Sequence, residues 1–300
     1  MKPLFRTGLV GLALLLGAGA IPFAVPSAAS GVHPVVVASG CPSMIPPHDR
    51  GVPATITGAI REPRHKTGAT DDAKISVRVY VHVLRSRPGT GVSTPRIRRQ
   101  IAILNHAYAG AQSRFAAVAP FRFHLVDIDR TTNARWWRMD EGTVAEARAK
   151  HALHRGTSRD LNLYIGMNRS GNLGWGTPPA QFKQAPRMDG VVIRRTSMAG
   201  GRGGHHSSGD TAVHETGHWL GLLHTFTGRC GARGDLVGDT PREARPSYAC
   251  PVRRDTCSAR GRDPVHNFMD YSYDSCMNQF TAGQVGRMRQ QWSAYRRGGG

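Results

Sequence analysis

Apolar and polar residues alternate first at Ile75–Leu84, where Ile75, Val77, Val79, Val81 and Val83 stand against Arg78, Tyr80 and His82. A period of two predicts a strand. Thr94-Pro95 then supplies an N-cap and a proline at the first helical position, with Ile97, Ile101, Leu104 and Tyr108 on one face of the helix that follows. FRFHLVD (121–127), LNLYIG (161–166) and GVVIRR (190–195) read as further strands, and NLGWG (172–176) as a short edge strand. Thr143 with Glu146 predicts a capping box on a helix stopped by Gly156, and Thr281 with Gln284 a second one on a helix running to about Tyr295. Between these two helices, a further helix follows Gly209. The order predicts an α/β domain with a sheet-bearing N-terminal half and an irregular C-terminal half.

The first 29 residues carry a different pattern. Lys2 and Arg6 precede an apolar run over 8–20, and Ser27-Ala28-Ala29 offers small residues for cleavage, the layout of a signal peptide. Residues 30–72 are rich in Pro, Gly and Ser without periodicity and read as a prosegment or linker, leaving 73–297 as the folded domain. The apolar run is too short to span a membrane as a mature helix, and no other stretch reaches that length. The expectation is a secreted, extracellular protein in an oxidising compartment, where reduced thiols do not persist in number. Four of the five cysteines, Cys230, Cys250, Cys257 and Cys276, crowd the C-terminal part and suggest two disulfides, with three pairings open. Cys41 stands apart.

Lys and Arg number 40 against 20 Asp and Glu, a formal charge of +20. Only five of the bases are Lys, and Arg is spread along the chain, so no specific nucleic-acid face emerges. The charge predicts attraction to anionic cell surfaces, and a basic binding protein is the alternative to an enzyme.

Residues 214–224, HETGHWLGLLH, carry the chemistry. His214 and His218 are four apart and leave the same helix face, with Glu215 flanking it. A third ligand six residues beyond His218 would lie too far along a continuous helix. Gly221 can take a positive φ, end the helix and return His224 to the other two. Three neutral imidazoles leave a fourth position on zinc, the arrangement of a catalytic site.

With these residues the chain resembles the metzincin metallopeptidases and, among them, the pappalysin family. The likeness includes GDTAVHETGHWLGLLHTF (209–226), GDLVGDTP (234–241), NFMDYSYDSCMNQFTAGQVGRM (267–288) and the earlier VYVHVL, ILN and DGVVI segments. It covers roughly 75–290. The resemblance implies a twisted, mostly parallel five-stranded sheet with helices over an irregular, disulfide-stapled C-terminal subdomain, and a zinc endopeptidase acting on protein or peptide substrates as a monomer. It implies that Glu215 is the general base, that Met269 forms a turn beneath the imidazoles, and that Tyr271 donates to an oxyanion. The implied disulfides are Cys230–Cys257 and Cys250–Cys276. Asp235, Asp239 and Thr240 offer oxygen ligands for calcium, with an Asx-turn loop as the alternative. Cys41 is expected to be a latency switch that occupies the zinc until the prosegment is cut, with an idle thiol or a lipid-attachment site as alternatives. His205 and His206 read as part of a flexible loop and Arg96–Arg99 as the solvated start of a helix. The substrate is expected to extend along 172–176, with Asp274 favouring a basic residue after the cut.

Overall fold

The computed structural model describes residues 73–298. The expected signal peptide, the expected prosegment and Cys41 lie outside those residues. In chain order the elements are β1 (Ile75–Arg85), α1 (Thr94–Tyr108), β2 (Phe121–Thr132), α2 (Ala134–Trp137), α3 (Val144–Leu153), β3 (Leu161–Gly166), β4 (Gly174–Gly176), β5 (Val191–Arg194), α4 (Asp210–Trp219) and α5 (Ala282–Gln291). The five strands form one sheet ordered β2-β1-β3-β5-β4. Every neighbouring pair is parallel except β4–β5, so the short edge strand runs against the rest. No helix among the described residues is long and apolar enough to cross a membrane.

The valine row of β1 is fully buried and joins Ile97, Leu104 and Tyr108 of α1 in the main core, together with Val213 of α4. Its opposite face is less polar in its surroundings than the alternation suggests. Leu84, Tyr164, Trp175 and Val192 form a second apolar cluster there, packed on α3. His82 is buried on this side, with Nε2 2.9 Å from Asn162 Oδ1, Nδ1 facing Asp129, and its ring stacked on Tyr164. Parallel strands are commonly covered on both faces, which is why a polar residue can sit at the centre.

β2 runs five residues beyond its expected end. Val79 pairs with Leu125 and Tyr80 with Asp127, so Val126 bulges out and the ladder resumes through Thr132. Arg96 is also not simply solvated: it donates to the carbonyls of Ala199, Arg195 and Met198 and holds that loop against α1. The Thr143 hydroxyl caps the Glu146 N–H at 3.3 Å, but the Glu146 carboxylate accepts from Gly142 N and Trp175 Nε1 instead of returning to Thr143. The Thr281–Gln284 box closes in both directions.

Beyond α4 the chain is largely irregular until α5. Two disulfides, Cys230–Cys257 and Cys250–Cys276, staple this part. Helix α5 ends at Gln291, short of Tyr295, and passes into a wider π turn over Trp292–Arg296. That turn buries Arg296. Its guanidinium meets Asp189 through two bonds of 3.1 Å, donates to Trp219 O and Ser158 O at 3.0 Å, and lies 3.6 Å from the centre of the Trp219 indole. The Trp219 Nε1 donates to the same carboxylate at 2.9 Å. One buried ion pair therefore ties the last turn to the end of α4 and the approach to β5.

Arg296→Ala should destabilise the domain by about 3–5 kcal/mol, because the Asp189 charge would remain buried without its partner. Asp189→Asn combined with Arg296→Met should cost less than Arg296→Ala alone. Urea unfolding of the three proteins checks the order; equal stability of Arg296→Ala and the parent would remove the pair from this role.

Candidate metal centre and active site

α4 is anchored before it begins. Gly209 has φ +107°, and a Cβ there would meet the Gln100 side chain at 2.9 Å. Gln100 of α1, buried, donates to Gly209 O at 2.8 Å and accepts from Ala199 N. Asp274 Oδ2 accepts from Ser208 N at 2.7 Å and Gly209 N at 3.2 Å, while its buried Oδ1 makes no hydrogen bond and lies 3.6 Å from His206 Nδ1. His206 is buried and His205 stacks on Tyr273 at 3.9 Å, so this glycine-rich stretch is packed rather than a loose loop.

The helix ends as the glycine predicts. Gly221 has φ +95°, Gly221 N donates to His218 O, and Leu222 N reaches back to Gly217 O at 2.9 Å, the two bonds of a Schellman turn. A Cβ on Gly221 would also lie 2.5 Å from Gln291 Cγ, so packing against α5 excludes a side chain as firmly as the backbone angle does. Arg287 of α5 donates to Gly221 O at 2.8 Å. The reversed chain carries His224 back towards α4.

The three imidazoles converge. His218 Nε2 lies 3.1 Å from His214 Nε2 and 3.0 Å from His224 Nε2. His214 Nδ1 faces Phe268 O at 2.6 Å and His218 Nδ1 faces Leu222 O at 2.9 Å. A carbonyl can only accept, so each Nδ1 is the donor. Burial lowers all three histidines from their ordinary values, His218 to about 4, so the rings are neutral near pH 7. Neutral His214 and His218 then aim Nε2 lone pairs at one another inside a buried site, an arrangement that a cation relieves. The donor set fits a metal bound by three imidazole nitrogens.

Around this cluster, Glu215 is fully buried between α4 and the edge strand. A Cβ on Gly174 would lie 2.8 Å from Glu215 Cγ, and one on Gly176 would lie 2.3 Å from Glu215 O. β4 can pass over the helix only because both positions are glycine. Met269 is buried below, where its Sδ would stand 2.5 Å from a Cβ on Gly217. The Tyr271 hydroxyl is 3.2 Å from His224 Nε2.

Several supporting contacts carry no local sequence signal. Asn267 and Gln284 exchange two side-chain hydrogen bonds of 2.8 and 3.0 Å, and Asn267 Oδ1 also accepts from Met269 N. The capping box of α5 is thus part of the support for the turn at Met269. Glu243 accepts from Thr225, Ser247 and Arg254, and Asp270 accepts from Ser247 N and Tyr271 N. Burial raises these carboxyls, Glu243 to about 7 and Asp270 to about 6.

The loop at 234–241 divides its oxygens between two tasks. Asp239 accepts from Thr281 Oγ1 and Gly283 N, both at 2.7 Å, and so holds the start of α5. Asp235 Oδ1 accepts from Val237 N, an Asx turn, while its Oδ2 and the Thr240 hydroxyl are buried without a well-formed hydrogen bond. Burial raises the Asp235 carboxyl to about 7.

Three histidines around a helix break, a buried glutamate beside the first, and a short antiparallel edge strand above it define a metallopeptidase site. The Peptidase M43 model, described as pregnancy-associated plasma protein-A, matches residues 191–293. An extracellular metalloprotease of Podospora anserina is 42% identical over 226 residues, 74% of this chain and 75% of that protein. One from Sordaria macrospora is 37% identical over 292 residues, covering 94% and 96%. The solved structure of mature mirolysin from Tannerella forsythia, in complex with a cleaved peptide, is 28% identical with a TM-score of 0.63, over 73% of this chain and 92% of that one. The chain belongs to the pappalysin family, and it is an extracellular metalloendopeptidase.

Asp210, in the first turn of α4, provides a pH test. Burial, with a further contribution from the Asp274 charge, raises its carboxyl from 3.8 to about 8. The folded state therefore keeps a proton that the unfolded chain releases. The associated stability is present below pH 3.8 and is lost as pH rises through about 8. Between pH 5 and 8.5 the urea midpoint should fall, and Asp210→Asn should flatten that fall. An unchanged slope in the variant would assign the pH dependence elsewhere.

Proposed function

We propose that the resident metal is zinc, held by Nε2 of His214, His218 and His224, and that Glu215 is the general base and acid of peptide-bond hydrolysis. The observation that carries this reading is the convergence of the three Nε2 atoms at 3.0–3.1 Å beside a buried carboxylate. When bound, zinc would supply Lewis-acid activation of water and of the scissile carbonyl.

The residues of the chain do the rest. Glu215 takes the proton of the attacking water and returns it to the leaving amine. The Tyr271 phenol donates to the developing oxyanion. An extended peptide adds as a further strand beside β4, the last strand in the sheet order, and crosses Glu215 below. Asp274 Oδ1, a buried acceptor without a hydrogen bond, is assigned to a basic residue following the cut. Asp235 and the Thr240 hydroxyl would contribute to a calcium site, since a cation would satisfy both buried oxygens. Asp239 is omitted from that set because both its oxygens serve α5.

Glu215→Ala should retain about one zinc per chain and lose casein cleavage by several orders of magnitude; zinc content and rate are measured on the same preparation. His218→Ala should lose the metal as well. Full proteolysis by Glu215→Ala, or by the parent after zinc has been stripped, would sink the mechanism.

Tyr271→Phe should lower kcat by about 100-fold with little change in KM, as expected for a donor that acts chiefly in the transition state. A change confined to KM would make Tyr271 a substrate-binding group instead.

A further inference from the structure

On the opposite side of the sheet from α4 lies a buried ion pair that peptide hydrolysis does not use. Glu146 and Lys150, one turn apart on α3, are 3% and 1% exposed, and Lys150 Nζ lies 2.8 Å from Glu146 Oε1. The same Oε1 accepts from Trp175 Nε1 at 2.6 Å. Lys150 also donates to Met188 O at 3.0 Å and stands 3.4 Å from Thr177 Oγ1, which itself donates to Met188 O at 2.9 Å.

A buried pair of this kind is weak evidence for stability, because apolar residues of similar volume often serve as well. Its direction is more informative. Trp175 is the middle residue of β4, and Thr177 is the residue immediately beyond it. β4 has three residues, and among the described strands its ladder is with β5, so the ladder alone gives it little hold. From below, Gly174 and Gly176 rest on Glu215. From above, Glu146 grips the Trp175 indole and Lys150 grips the exit of the strand.

We propose that Glu146 and Lys150 are positioning residues for substrate, fixing the height and register of β4 over Glu215 so that an added peptide arrives with its scissile bond in reach. The inference rests on the reading that substrate pairs with β4.

The test compares three substrates: an extended peptide of about ten residues, the same peptide with backbone N-methylation at the positions that would pair with β4, and a short chromogenic substrate confined to the residues next to the cut. In Glu146→Leu/Lys150→Met both charges are gone and Trp175 loses its acceptor. KM for the extended peptide should rise about tenfold, the scale of one hydrogen bond to a charged group, with much less change for the short substrate. Glu146→Gln/Lys150→Met restores an acceptor to Trp175 and should recover most of the loss. Should the Leu/Met protein not fold, Trp175→Phe removes the same hydrogen bond from the other side and should show the same preferential loss on the extended peptide. Equal loss on long and short substrates, no loss on the extended one, or no recovery with Gln would overturn the proposal. If the parent itself did not distinguish the N-methylated peptide from its extended counterpart, strand addition would fail, and the positioning role would fall with it.

Discussion

The reversal at Gly221 is the constraint on which the rest of the molecule depends. A straight helix can present His214 and His218 on one face, but it cannot bring His224 to the same point. The positive φ at Gly221 solves the geometry, and its missing Cβ leaves room for Gln291. A glycine turn alone would be mobile, so its surroundings hold it. Arg287 takes its carbonyl, Leu222 N closes the turn on Gly217, and Gly217 in turn admits Met269. α5 therefore belongs to the active site although it contributes no reacting group.

The parts of this design that were legible in the sequence are those with a local period or a fixed spacing. The valine row of β1, the apolar face of α1, the Thr281–Gln284 capping box and the HExxHxxGxxH run each state their geometry within a dozen residues. Thr94, expected as the cap of α1, lies instead inside its first turn, and Ser93 stands at the N-cap without a side-chain bond. The short edge strand could be placed because Gly174-Trp175-Gly176 stands out in a loop-like stretch. What escaped was non-local. Glu146 has the signature of a capping-box residue, yet Trp175, 29 positions away, draws its carboxylate elsewhere. Arg296 and Asp189 are 107 positions apart and meet only because the π turn swings the last residues under α4. His82 looks like a solvent-facing strand residue, and only the covering of both sheet faces buries it. A single sequence shows the period of an element but not which distant side chains will dry it.

The interior of the C-terminal part follows a different rule from the sheet. Residues 225–266 offer few large apolar groups, so packing alone could not hold the turn that carries Met269 and Tyr271. Two disulfides restrict the segment, and buried polar groups supply its geometry. Glu243 gathers Thr225, Ser247 and Arg254, while Asp270 gathers backbone donors from Ser247 and Tyr271. Hydrogen bonds are directional where apolar contacts are not, so this network can hold a turn to a defined position with little apolar area. The raised carboxyls are the consequence of placing such groups away from water.

The same trade appears on both sides of β4. Glycines bring its backbone down onto α4, which removes the side chains that would ordinarily fix a strand by packing. Trp175, the one large residue left, faces the other way, and its N–H meets a charged partner on α3. The strand is thin where substrate chemistry needs a close approach and is held from behind where it does not. This explains why an ion pair remote from the histidines is buried so completely: the close approach over Glu215 leaves the far face as the place from which the edge can be made rigid.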